Sequence, residues 1–173
     1  YSSSAANYGT NNEHPSNLYG WSKYTAEQYV IMTGGIALRY FNVYGPLEDH
    51  KGKMASVAYQ MLEKQKEGLE IKLFPNKPQR DFVYVKDVVN ANLFAMNNYE
   101  ENKGDWYEVG SGYARTFEDV LDILKIEYTY YNEKDIPKGY QFHTKSSPVK
   151  WMTGWEPQYN LENGLSDYLN LLM

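Results

Sequence analysis

The sequence contains no cysteine, and its three histidines, His14, His50 and His143, stand far apart. Disulfides and thiolate metal sites are thereby excluded, no histidine cluster is available, and no metal is assigned. Long hydrophobic runs are also missing. Nothing approaches the roughly 20 apolar residues of a membrane span, so the chain is expected to be soluble and cytoplasmic, with no membrane partner. Positive charge is in deficit, with 17 Lys and Arg against 22 Asp and Glu for a net charge of -5. That balance gives no support to a nucleic-acid partner gripped through its phosphates, although a local basic patch can still hold a small anion. A glycine-rich phosphate turn is absent as well. Neither Gly-x-Gly-x-x-Gly nor Gly-x-x-Gly-x-x-Gly occurs, and Gly110-Ser111-Gly112 lacks a third glycine.

What is present is a globular balance of residues over a domain-sized length. The 173 residues are 42% hydrophobic and 23% charged, enough to bury a core. Tyr1 to Ala5 reads as a strand end opening into a polar loop over 7–17, and a helix is expected from Leu18 to Met32, stopped by Thr33-Gly34-Gly35. The apolar run Ile36 to Phe41 suits a buried strand, and Asn42 to Gly52 reads as loop. Further helices are expected over 54–67 with Gly68 as the stop, from Asp87 as cap through Met96, from Thr116 as cap through Leu124, and over 161–172. Strands are expected over 70–74, 81–85, 106–109 and 127–131. Strands alternating with helices imply an α/β fold with parallel pairing.

The residues that carry chemistry gather near the start. Tyr19-Gly20-Trp21-Ser22-Lys23 follows the serine run Ser2-Ser3-Ser4. On a helix, Tyr19 and Lys23 lie one turn apart on one face, where the ammonium can stabilise a phenolate. A tyrosine so placed can exchange a proton near neutral pH. The spacing alone is weak in a chain with 18 tyrosines, and it recurs at Tyr130 and Lys134. Only the first copy has serines before it.

A serine-rich strand end, a Tyr-x-x-x-Lys helix, and then Arg39-Tyr40-Phe41-Asn42-Val43-Tyr44-Gly45-Pro46 resemble, in that order, the extended short-chain dehydrogenase/reductase family that acts on nucleotide sugars. The resemblance covers nearly the whole chain. Glu48 to Val57, Phe74, Arg80 to Val85 and Gly139-Tyr140-Gln141 are similar to members that epimerise an ADP-linked sugar for surface-polysaccharide synthesis. The family implies the C-terminal part of a Rossmann-like doubly wound parallel sheet plus a smaller α/β substrate-binding domain. Residues 1–45 would belong to the dinucleotide-binding part, and 46–173 mainly to the substrate part, with some segments returning. The missing glycine turn makes the chain read as the C-terminal portion of a longer protein, and as given it would be a catalytically incomplete substrate-binding part.

By the same resemblance the cofactor is NADP, with NAD open, and the protein is a homo-oligomer. Ser4 would hydrogen-bond the reacting sugar oxygen and Tyr19, Tyr19 would act as acid/base, and Lys23 would hold the cofactor ribose. Lys51 would be a second acid/base beside the cofactor, since inverting a carbon through a ketone needs proton delivery on both faces. Val43 would line the nicotinamide pocket. Asn42, Lys53, Gln60, Phe74, Arg80 and Tyr140 would bind the ADP-sugar, with Arg80 forked onto the pyrophosphate unless Asp81 claims it. A 4,6-dehydratase of the family adds an acid directly after the serine or threonine, whereas Ser4 is followed by Ala5-Ala6; a UDP- or GDP-sugar 4-epimerase stays open.

Overall fold

The computed structural model describes residues 1–10, 13–135 and 140–172. Asn11 and Asn12 of the expected polar loop and Gly139 of the Gly139-Tyr140-Gln141 stretch lie outside the described residues. Among the described residues there are eight strands, β1 (Ser2–Ser4), β2 (Ile36–Tyr40), β3 (Asn42–Tyr44), β4 (Lys72–Leu73), β5 (Gln79–Tyr84), β6 (Asp105–Val109), β7 (Ala114–Thr116) and β8 (Thr129–Tyr130). Six α-helices accompany them: α1 (Leu18–Met32), α2 (Val57–Lys66), α3 (Val85–Asn97), α4 (Tyr99–Asn102), α5 (Phe117–Leu124) and α6 (Leu161–Leu172).

Parallel pairing dominates, as the alternation of elements predicts. A sheet in the order β1-β2-β6 is parallel throughout, with Ser4 opposite Tyr40 and Tyr40 opposite Val109. The second sheet, β3-β5-β7, is parallel between β3 and β5 and antiparallel between β5 and β7. A two-stranded ribbon of β4 and β8 completes the set. The α/β class stands, with one antiparallel edge that the sequence did not suggest.

Two apolar cores meet at β5, because successive strand residues point to opposite faces. Phe82 and Tyr84 enter a core with Tyr44, Leu62, Leu121 and Leu165, while Val83 enters another with Leu38, Ala91, Val109 and Trp155. The same six-residue strand therefore locks both layers together.

Helix boundaries follow local chemistry. The Asn17 side chain accepts the Gly20 N–H at 2.9 Å and starts α1. Its end needs glycine, since a Cβ at Gly35 would sit 2.6 Å from Val30 Cγ1. α5 opens with a reciprocal capping box, Thr116 accepting the Asp119 N–H and Asp119 accepting the Thr116 N–H. Thr116→Ala is expected to cost about 1 kcal/mol and to lower the melting temperature by about 2–4 °C, measurable by thermal denaturation followed by circular dichroism.

Four expectations need correction. The stretch 42–52 is not all loop: β3 pairs with β5, and a 3-10 turn runs Asp49–Met54. α2 starts at Val57 rather than Met54 because Ser56 accepts the Tyr59 N–H, while Gly52 at φ 51° interrupts helix before it. Asp87 does not cap α3, which begins two residues earlier with Tyr84 at its cap position; the Asp87 carboxylate instead accepts the N–H groups of Gln158 and Tyr159 at 2.9 and 3.1 Å. The expected strands 70–74 and 127–131 shrink to the two-residue β4 and β8.

Candidate active site

Short strand β1 and helix α1 bring the first group together. Lys23 Nζ donates to the Ser2 carbonyl at 2.9 Å and lies 5.9 Å from the Tyr19 ring centre. Tyr19 is 54% exposed and its hydroxyl has no hydrogen-bond partner among the described residues, so the phenol is open to a ligand. Ser4 is half-buried and accepts the Ala6 N–H at 3.1 Å, leaving its own hydrogen to donate. Ser3 points the other way, as strand alternation requires: it is 3% exposed and donates to Glu27 at 2.6 Å. The second Tyr-x-x-x-Lys is split, with Tyr130 in β8 and Lys134 in a separate 3-10 turn. It forms no helix face.

Beyond the carboxyl ends of β1 and β2 lies a cavity of ≈ 220 Å³, lined by Ala5, Tyr8, Phe41, Gln141 and His143 among others. Ligands in open α/β sheets gather at this end of the strands. Gln141 Nε2 donates to the Gly9 carbonyl at 2.8 Å and fastens the two walls. Burial first, and then the hydrogen bond to Glu108, push the Tyr8 phenol well above its ordinary value, so Tyr8 stays protonated. Asn42 is exposed at the start of β3, just past this end, and Val43 behind it is half-buried against the second core.

The loop carrying Lys51 is preorganised by a buried acid. Glu48 accepts the Gly45 N–H at 3.1 Å and the Ser56 N–H at 2.5 Å, so one carboxylate pins both ends. Lys51 Nζ stands 3.7 Å from Glu48, with 41% of its side chain exposed. Among the described residues no hydrogen bond or ion pair joins Lys51 to Tyr19 or Ser4. Lys53 is exposed in the same turn. Gln60 braces the turn through Nε2, donating to the Ala55 carbonyl at 2.7 Å and the Lys53 carbonyl at 3.3 Å, which leaves its Oε1 for any ligand.

Arg80 forms the third group. The rival ion pair with Asp81 does not form, because adjacent strand residues face opposite sides. Asp81 is fully buried and accepts from the backbone N–H groups of Ser111, Gly112 and Ser146 and from the hydroxyls of Ser111 and Ser146. Arg80 is 9% exposed, donates to the Gln79 and Gln141 carbonyls, and pairs with no carboxylate among the described residues. Its guanidinium lies 5.3 Å from the Tyr140 ring and 5.7 Å from the Phe117 ring. Phe74 packs edge-on to Tyr140 at 5.2 Å. Burial pushes the Arg80 guanidinium below its ordinary value, an effect that a bound anion would reverse. A buried cation in an aromatic wall, held by carbonyls alone, is suited to a phosphate.

Sequence reasoning missed Glu27 and Tyr8. Glu27, fully buried in α1, pairs with Arg39 of β2 at 2.5 Å. One signal was available: Arg39 interrupts a buried apolar strand, and a buried cation requires a partner.

Residues 1–110 match the NAD dependent epimerase/dehydratase family. The chain is 34% identical to the ADP-L-glycero-D-manno-heptose-6-epimerase of Brachyspira hyodysenteriae, over 99% of this chain and 62% of that protein. The crystal structure of the Helicobacter pylori ADP-L-glycero-D-manno-heptose-6-epimerase superposes with a TM-score of 0.80 at 34% identity, covering 99% of this chain and 58% of that one. The Thermotoga maritima UDP-glucose 4-epimerase, solved with UDP-glucose, gives a TM-score of 0.82 at 30% identity, covering 99% and 62%. The chain thus spans less than two thirds of the length of these relatives. With more than half of its residues matched, it belongs to the NAD dependent epimerase/dehydratase family.

Proposed function

We propose that the protein carrying this chain is a nucleotide-sugar epimerase that inverts C6 of an ADP-linked heptose, supplying a precursor for lipopolysaccharide or surface polysaccharide. The observation that carries this reading is an open, lysine-flanked phenol at the start of α1 together with a buried guanidinium in an aromatic wall that meets no carboxylate among the described residues. The first suits proton exchange at a carbinol, the second a pyrophosphate. Both relatives named as heptose epimerases support the ADP-sugar over the UDP-sugar.

In this reading Ser4 donates its hydroxyl to the reacting sugar oxygen, and Tyr19 takes and returns the proton on one face. Lys51 serves the other face from its fixed loop, and Asn42 holds the sugar between them. Lys53 and Gln60 border the same loop. Arg80 forks onto the diphosphate while Phe74 and Tyr140 pack the nucleoside. Lys23 uses one N–H on the Ser2 carbonyl, which leaves two for ribose hydroxyls, and Val43 is placed to meet the nicotinamide. These donors fit a nicotinamide dinucleotide, NADP in our reading, which when bound supplies reversible oxidation of the carbinol. The boundary near residue 45, between dinucleotide and substrate parts, belongs to the same proposal. Self-association is supported by the outer face of α1, where Leu18, Trp21, Tyr29 and Met32 are exposed.

The test is product analysis by NMR with ADP-D-glycero-D-manno-heptose and with UDP-glucose, using the full-length protein. Turnover of the heptose substrate is expected, and turnover of UDP-glucose alone overturns the assignment. Arg80→Met is expected to raise the KM for the ADP-sugar on the order of tenfold, as for a lost charge-assisted hydrogen bond, with little change in kcat. An unchanged KM removes Arg80 from the diphosphate site.

A further inference from the structure

The serine strand and the tyrosine helix are not held together by Lys23 alone. The Glu27 carboxylate, fully buried one turn beyond Lys23, accepts from four donors on three other segments. Ser3 Oγ of β1 donates at 2.6 Å and Asn7 Nδ2 of the following 3-10 turn at 3.0 Å. Arg39 of β2 donates through Nε at 2.9 Å and Nη2 at 2.5 Å. Tyr19, Lys23 and Glu27 share a helix face, being spaced by four residues. Consecutive residues of β1 are thus stitched to consecutive turns of α1, the Ser2 carbonyl to Lys23 and the Ser3 hydroxyl to Glu27, and Ser4 comes next in the strand.

The Arg39 guanidinium in turn lies 3.6 Å from the Trp106 ring centre and 4.8 Å from the Tyr8 ring centre. Tyr8 lines the cavity beyond β1 and hydrogen-bonds Glu108, whose other oxygen accepts the Ser147 N–H at 2.6 Å. A buried charge with every donor accounted for is rigid, and losing one partner leaves the others poorly satisfied.

We propose that Glu27 is a positioning residue for catalysis, its buried carboxylate fixing through Ser3 and Asn7 the spacing between the Ser4 hydroxyl and the Tyr19 phenol. Catalytic groups misplaced by even 1 Å lose large factors in rate. The inference rests on the epimerase reading, since it assigns Glu27 a task only if Ser4 and Tyr19 act on substrate.

The experiment compares Glu27→Gln and Ser3→Ala in the full-length protein, alone and combined with Tyr19→Phe, assayed with ADP-D-glycero-D-manno-heptose. Ser3→Ala removes one neutral donor and keeps the Arg39 pair, so it decides the matter should Glu27→Gln fail to fold. Each single variant is expected to lower kcat about tenfold with KM within about twofold. In the Tyr19→Phe background Ser3→Ala is expected to lower the residual rate by less than twofold, because there is no phenol left to position. A purely structural role would move melting temperature while leaving kcat alone, or would cut the rate by the same factor in both backgrounds. Either result overturns the proposal. Should Tyr19→Phe itself turn over near normally, Tyr19 leaves the chemistry and the positioning role falls with it, whereas a wild-type protein that fails to turn over the heptose at all sinks the epimerase reading.

Discussion

Tyr19→Phe in the full-length protein is expected to lower epimerase turnover by at least about a hundredfold, the range for a lost general acid/base, while leaving the melting temperature within about a degree of wild type. The two halves of that expectation have separate causes. The Tyr19 hydroxyl is on a half-exposed side chain and has no hydrogen-bond partner among the described residues, so its removal leaves no buried group unsatisfied. The phenyl ring that remains keeps its place beside the Lys23 ammonium. Lys23 itself stays tethered to the Ser2 carbonyl, and Ser3 stays tethered to Glu27. What disappears is the ionisable oxygen that the proposed site draws from α1. Steady-state turnover with the ADP-heptose and a thermal melt on the same sample check both halves. A rate within a few-fold of wild type removes Tyr19 from the chemistry.

The parts of this site that were legible in the sequence are those whose chemistry is local. Thr116 and Asp119 announce a helix start, and Leu18 to Met32 ends at a Gly-Gly pair, because caps and stops depend on neighbours a few residues away. The serine run and Tyr19/Lys23 were readable for the same reason. Elements that depend on distant partners were not. β7 exists because β5 offers it an edge, and Asp87 turned from an expected cap to a hub for Gln158 and Tyr159, more than seventy residues away. Ser3 and Ser4 are identical as residues, and only the phase of β1 decides which meets Glu27 and which accepts the Ala6 N–H instead. An ion pair with Asp81 was the rival to a diphosphate role for Arg80, yet a strand sends the two residues to opposite faces. That separation is what leaves Arg80 free of a carboxylate.

Lys51→Met is the complementary substitution, expected to lower turnover by at least about a hundredfold as well. The reasoning differs from that for Tyr19, because Lys51 has a partner, Glu48, at 3.7 Å. A partly exposed ion pair of this kind contributes at most about 1 kcal/mol, and Glu48 keeps its bonds to the Gly45 and Ser56 N–H groups after the lysine is gone. The loop geometry, including Leu47 at φ 66° and Gly52 at φ 51°, should therefore survive the change. Methionine retains the length of the stem and removes only the proton-exchanging nitrogen. Loss of turnover with a normal melt and an unchanged KM would place the Lys51 amine at the reacting carbon, opposite Tyr19. A raised KM at normal kcat would instead make it a binding cation for the sugar, and a wild-type profile would return it to the solvated surface. With each of the two proposed acid/base groups removed singly, the double variant Tyr19→Phe with Lys51→Met separates the faces further. Two groups serving opposite faces of the same ketone are both needed in every inversion, so the second loss should add little to the first. Independent multiplication of the two losses would show instead that both groups act in one transition state, which the two-face scheme does not allow.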